Sequence, residues 1–228
     1  MRKNSKTFKE KTKNIESTKL YQPGEALLLA KNSSYETFDA AVELHIRTGI
    51  DPRKSDQSVR GSLVLPHGTG AKKRIAVFAE GPKATEAKEA GADVIGGKEL
   101  IDEIKTSGKA DFDVAIATPD MMKLMASVAR VLGPRGLMPS PKNDTVTQNI
   151  KQAIDEQKKG KITYKNDDTG NVHVILGKRS FAIEHLVENF TAFLDSLRKN
   201  RPSSAKGVFI KSASVSTTMG PGIKIMIS

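Results

Sequence analysis

The chain has 228 residues, 37% of them hydrophobic and only 5% aromatic, enough for one large or two smaller domains around an aliphatic core. It contains no Cys, which excludes disulfide frameworks, Cys-ligated zinc and thiol nucleophiles and suits a reducing cytosol. No apolar run approaches the roughly 18 residues of a membrane span, and the N-terminus lacks the apolar stretch of a secretory signal, so a soluble, unsecreted protein is expected.

The formal net charge of +11 draws polyanions to the protein whatever its fold. It is spread unevenly, with 12 Lys/Arg against 8 Asp/Glu in residues 1–67, 15 against 13 in 68–160, and 10 against 5 in 161–228. The basic excess forms one patch only if the two ends share a domain. Two basic flanks around a near-neutral middle is the other reading of the same charges.

The first 20 residues, with seven Lys/Arg and two Glu, read as a solvated arm. Pro23 and Glu25 open a short helix through Ala30. Phe38 to Ile46 alternates apolar and polar positions as a half-buried strand does, and Leu63–Leu65 gives a second strand before Pro66-His67-Gly68-Thr69-Gly70 breaks the chain.

Strand and helix then alternate: strand 74–79, helix 82–90, strand 93–95, helix 98–105, strand 113–117, helix 119–131. This rhythm predicts a mostly parallel sheet with helices on both faces. Gly133 to Lys142 is too rich in Gly and Pro for either element, and helix 146–158 follows before a second break at Lys158 to Lys161. Strands 162–164 and 172–176, joined through Asn166-Asp167-Asp168-Thr169-Gly170, read as a hairpin. A long amphipathic helix spans 181–199, and strands 208–214 and 223–227 flank Ser216 to Gly222.

The motifs point away from catalysis. Gly68-Thr69-Gly70 lacks the third glycine of a dinucleotide loop and is followed by a strand where the mechanism needs a helix N-terminus, so a hinge is the better reading. His45, His67, His173 and His185 show no metal-ligand spacing, and no catalytic residue, metal or cofactor is expected. In Gly133 to Lys142, Arg135 among glycines and prolines fits a phosphate contact as well as a rigid linker does. The Ser216 to Gly222 link fits either a plain turn or a loop entering the shallow minor groove of RNA.

Thr217-Thr218-Met219-Gly220-Pro221, Gly133-Pro134-Arg135-Gly136-Leu137-Met138-Pro139, Gly49-Ile50-Asp51-Pro52-Arg53 and Leu65-Pro66-His67-Gly68 together, in this order along nearly the whole chain, resemble the ribosomal protein L-one family in its bacterial form. Val59-Arg60-Gly61, Ala90-Gly91-Ala92-Asp93 and Ala117-Thr118-Pro119-Asp120 fit the same pattern. The resemblance implies an α/β protein of two domains. Residues 1–67 and 161–228 would form a discontinuous, rRNA-binding domain I, and 68–160 an inserted Rossmann-like, three-layer domain II, with hinges at Gly68 and Gly160.

It also implies a structural constituent of the large ribosomal subunit in the cytoplasm, a monomer when free, without enzymatic activity or membrane partner. Its partners would be large-subunit rRNA in the mobile stalk beside the tRNA exit site, the departing deacylated tRNA, other ribosomal components, and its own mRNA as a translational repressor. Carried over by position, the RNA-binding residues are Phe38 at the start of its strand, His173, Ser212, Thr217, Thr218, Met219 and Gly220, with Arg135, Lys178 and Lys211 as additional contacts. Thr37, Ala41 and Ser140 depart from the family's usual basic, hydroxyl and Asn residues. The competing reading is a Rossmann-type nucleotide-binding enzyme on the middle segment, and a third is a nonspecific nucleic-acid binder.

Overall fold

The computed structural model describes residues 6–13, 15, 16 and 18–227. In chain order the elements are α1 (Lys6–Thr12), α2 (Pro23–Ser33), β1 (Ala41–Thr48), β2 (Arg60–Val64), β3 (Ile75–Phe78), α3 (Pro82–Glu89), β4 (Val94–Gly96), α4 (Lys98–Ser107), β5 (Val114–Ala117), α5 (Met122–Met125), α6 (Ala129–Leu132), α7 (Ile150–Lys158), β6 (Lys161–Lys165), β7 (Asn171–Lys178), α8 (Ile183–Lys199), β8 (Ile210–Thr217) and β9 (Ile223–Ile225). They form two compact units, one from both ends of the chain, up to Ala71 and from Ile162 on, the other from Lys72–Lys161.

In unit 1 the period-two pattern of β1 sends Val42, Leu44 and Ile46 into the core and leaves Glu43, His45 and Arg47 on the opposite face. β1 lies inside an antiparallel sheet of order β7-β1-β8-β9. α2 and α8 cover its apolar face, α8 through Leu186, Phe190, Phe193 and Leu197 at alternating four- and three-residue steps. Each such side chain, fully buried, contributes about 1.5–3 kcal/mol. Asn189 sits fully buried on this stripe and is satisfied there: its amide donates to the Leu176 carbonyl (2.7 Å) and the Gly68 carbonyl (3.0 Å), and its oxygen accepts the His67 N–H (3.1 Å).

In unit 2 the parallel sheet β4-β3-β5 is buried on both faces. From β3, Ala76 and Phe78 pack with Ile101, Phe112, Met125 and Leu132, whereas Ile75 and Val77 pack with Ala87, Ile116, Ile150 and Ile154. Two apolar faces on one four-residue strand require helices on both sides, which gives the three-layer α/β arrangement.

Several local expectations are corrected. The basic arm forms a helix over Lys6–Thr12, and the part of it at residues 1–5, 14 and 17 lies outside the described residues. The expected hairpin is only a tight turn: Asp167 binds the backbone of Thr169 (2.9 Å) and Asn171 (2.7 Å), but β6 leaves to pair with β2 while β7 joins the large sheet. A turn motif fixes chain reversal, not the strand partner.

The helix expected over 119–131 is split into α5, one turn of tighter helix and α6, with the Ser127 hydroxyl bonded back to the Leu124 carbonyl (2.8 Å). Helix α7 begins at Ile150 because Val146 is drawn into the sheet edge, where Thr147 N–H donates to the Ala117 carbonyl (3.1 Å).

The joints expected at 67/68 and 160/161 fall at 71/72 and 161/162. Asn189 ties Gly68 into unit 1. Gly160, at φ 90°, turns the chain after α7, and the buried Lys161 ammonium is held in unit 2 by Glu156 (2.8 Å) and Asp144 (3.0 Å).

Candidate nucleic-acid interface

The face of the four-stranded sheet that no helix among the described residues covers is made of three cross-strand rows. The register aligns Ile175, Glu43 and Ser216; then His173, His45, Ser214 and Lys224; then Asn171, Arg47 and Ser212. Hydroxyls, imidazoles and an amide dominate it, with Glu43 balancing one of its two cations. In the middle row the His45 and His173 Nδ1 atoms are 2.8 Å apart, so one ring donates to the other, and the second His45 nitrogen meets the Ser216 hydroxyl at 3.1 Å. Burial, with the adjacent His173, holds the His45 pKa below its ordinary 6.5 against the opposing pull of Glu43. His45 therefore favours its neutral, hydrogen-bonding form.

At one end of this face the loop after β8 is fastened to the segment before β1. Glu36, only 8% exposed, accepts the Ser34 hydroxyl on one carboxylate oxygen and on the other the Met219 N–H (2.9 Å) and the Thr217 hydroxyl (3.3 Å). Burial alone would raise its pKa, but these bonds outweigh it and the carboxyl is held below the ordinary value of 4.5. Thr218 adds two bonds to Ala41, its N–H to the carbonyl (3.1 Å) and its hydroxyl oxygen from the N–H (3.0 Å). From the other side Ser180 N–H and hydroxyl bind Asp39 (3.0 and 2.9 Å), and the Arg179 guanidinium reaches the Glu36 carbonyl (3.2 Å).

The result is a rigid corner from which Phe38 and Met219 project, each 51% exposed. Two large apolar side chains held open to water by a network beneath them are prepared to meet an apolar or π surface.

Of the residues singled out by sequence, Thr218, Met219, Gly220 and Phe38 meet at this corner, and His173 and Ser212 lie on the open face. Phe38 is in the bend ahead of β1, not in the strand itself. Thr217 is corrected as a side-chain contact: it is 2% exposed and its hydroxyl is spent on Glu36. Gly220 has an internal reason to lack a side chain, since a Cβ there would overlap the Thr217 hydroxyl.

Lys178 ends β7 near the corner, its ammonium 3.5 Å from the Asp39 carbonyl. Lys211 lies at the far end of β8, in a bulge between the Arg47–Ser212 and Thr48–Ile210 pairs. Arg135 is in unit 2, with its guanidinium 3.5 Å from the Gly108 carbonyl.

Sequence reading missed Glu36 and gave His45 no role. His45 shares strand parity with Glu43 and Arg47, which was a usable signal. Glu36 had none, because its three donors come from positions 34, 217 and 219.

The chain matches the model of the Ribosomal protein L1p/L10e family over residues 28–221. It is 52% identical over 225 residues to the large ribosomal subunit protein uL1 of Streptococcus thermophilus, covering 99% of this chain and 98% of that protein. To the protein of the same name from Corynebacterium glutamicum it is 50% identical over 225 residues, covering 99% and 95%. Agreement of this extent, through both units and the corner between β8 and β9, leaves one assignment: the chain belongs to the Ribosomal protein L1p/L10e family.

Proposed function

We propose that this protein is a structural, non-enzymatic constituent of the large ribosomal subunit and that unit 1 grips large-subunit rRNA with its open sheet face. The observation that carries the reading is the clamped corner, where a buried Glu36 holds exposed Phe38 and Met219 beside a free polar face. Such a surface offers stacking and apolar contact at one edge and hydroxyl, amide and imidazole groups across the rest, which suits the 2′-hydroxyls and sugar edges of a folded RNA. The 52%-identical relative bears the name of a large-subunit protein, which supports the same partner.

In this reading the bound rRNA forms the mobile stalk next to the tRNA exit site, where the protein assists release of deacylated tRNA. A similar fold in its own mRNA would occupy the same face, making the protein a repressor of its own translation. The free protein is monomeric and its place is the cytoplasmic ribosome.

The test is competition between a stalk rRNA fragment and unrelated duplex RNA for the full-length protein at one salt concentration. Preference for the stalk fragment is expected, and Met219→Ala should reduce it while leaving binding to the unrelated duplex unchanged. Equal affinity for both RNAs would overturn the reading in favour of a nonspecific binder.

A further inference from the structure

The open face and its corner are nearly neutral, yet unit 1 carries most of the chain's basic excess. Part of that excess is in the first 20 residues, with seven Lys/Arg against two Glu, and a second group of cations stands at the opposite end of the sheet, where β1 finishes and β7 and β8 begin. The loops 49–57 and 200–209 pack together there: Gly49 N–H donates to the Phe209 carbonyl (2.7 Å), the Gln57 amide to the Ser204 carbonyl (3.4 Å) and the Ser204 hydroxyl to the Asp56 carbonyl (3.1 Å). The Arg201 guanidinium stiffens the second loop by donating to the Ala205 (2.8 Å) and Gly207 (3.1 Å) carbonyls.

On and beside this frame stand Arg53, Lys54, Lys165, Lys199, Lys206 and Lys211, all exposed. None of the ion pairs among the described residues involves any of the six. Four carboxylates stand close by, Asp51 and Asp56 on the first loop and Asp167 and Asp168 on the turn before β7, and they offset only part of the six positive charges.

Cations without partners on an ordered frame stabilise nothing inside the protein and repel one another, so their use lies outside it. Large exposed apolar groups are scarce here, Val208 being the one found on these loops among the described residues, which disfavours a protein interface with an apolar centre. The patch is continuous with the open face through the Arg47–Ser212 row and the bulge at Lys211.

We infer that the loop end of unit 1 is a second RNA-contact surface that tracks the phosphate backbone of a double-stranded arm as it leaves the sheet face. This rests on the rRNA reading above and divides its work: the face and corner select the RNA, and the loop end neutralises phosphates without reading sequence.

The experiment measures binding of full-length protein to a minimal stalk RNA and to versions in which each helical arm is extended in turn by one helical turn, across a salt series. For wild type, extending one of the arms should raise affinity and steepen the salt dependence by about two to three units, at about 0.9 unit for each phosphate neutralised. The Arg53→Gln/Lys54→Gln/Lys206→Gln variant should bind the minimal RNA within about twofold of wild type and lose the gain from extension. As a control, Lys6→Gln/Lys9→Gln/Lys11→Gln should keep that gain.

If no extension helps the wild type, or the loop-end variant keeps the gain, the inference is wrong while the rRNA reading stands. If the wild type does not prefer the minimal stalk RNA over random duplex, the earlier reading fails instead. Circular dichroism and thermal melting of both variants establish that they are folded.

Discussion

The two ends of the open sheet face are built on opposite principles. At the corner, Glu36, Asp39, Thr217 and Thr218 spend their polar groups on one another and on backbone, so that Phe38 and Met219 are fixed before any ligand arrives. At the loop end, six cations stand exposed, and no ion pair among the described residues involves them. Prepaid rigidity gives discrimination, because a ligand that misfits leaves bonded groups unsatisfied or apolar groups wet. Unpaired charge gives attraction and speed but little choice, and salt weakens it. In the proposed interface, selectivity and affinity need not reside in the same residues.

The comparison is broken most severely by removing the carboxylate at the centre of the corner. Glu36→Gln places an amide N–H₂ among three donors, and unit 1 should lose about 1–3 kcal/mol in denaturant unfolding. Stalk RNA binding should fall about tenfold or more with it, since Phe38 and Met219 lose their common frame. Unchanged stability and binding would show that the corner is not held by Glu36.

Acid should mimic this change. Glu36 is depressed in the folded protein, so its contribution is complete above 4.5 and is lost as pH falls through its lower folded value. Glu36→Gln should therefore flatten the acid limb of the stability profile.

Met219→Ala separates the two roles of the corner. Half of this side chain is in water, so melting should hardly change while selective RNA binding drops by about 1–2 kcal/mol, a loss expected to exceed that of any single lysine change in α1. Thr218→Ala should show both effects, with about 0.5–1.5 kcal/mol lost in stability because the Ala41 N–H loses its acceptor.

The smallest effect belongs to His45. Its pKa is lowered on folding, so its share of the stability is full above 6.5 and declines as the solution is acidified below it, where the unfolded chain binds a proton that the folded chain resists. His45→Asn should remove that slope in urea unfolding series taken between neutral and mildly acid pH. A slope that survives the substitution assigns it to another group.

Much of the architecture could be read from periodicity. Alternation in β1 and the strand–helix rhythm of unit 2 are local signals, and both held because each residue's face is set by its neighbours two, three or four positions away. What failed was non-local. Nothing in Ile162–Tyr164 says that β6 pairs with β2 across the inserted unit instead of with β7 beside it. Asn189 looked like an ordinary polar position on a helix, and only the carbonyls of Gly68 and Leu176 make it a buried joint.

The interface followed the same division. The motif around Thr218 and Met219 was visible as a string of residues, but the carboxylate holding it lies 183 positions from Met219 and had no local mark.

Because unit 2 is continuous in the chain and unit 1 is not, the two mature differently as the polypeptide leaves the ribosome that makes it. Unit 2 has all its strands once Lys161 has emerged, whereas β1 must wait more than a hundred residues for β7 and β8. Contacts of such long range close slowly and late. A nascent chain halted between Lys161 and β8 thus carries a complete insert but not the four-stranded sheet of unit 1. If the open face binds RNA as proposed, incomplete copies would not compete with finished ones for it, and the discontinuity would act as a length check on what is allowed to assemble.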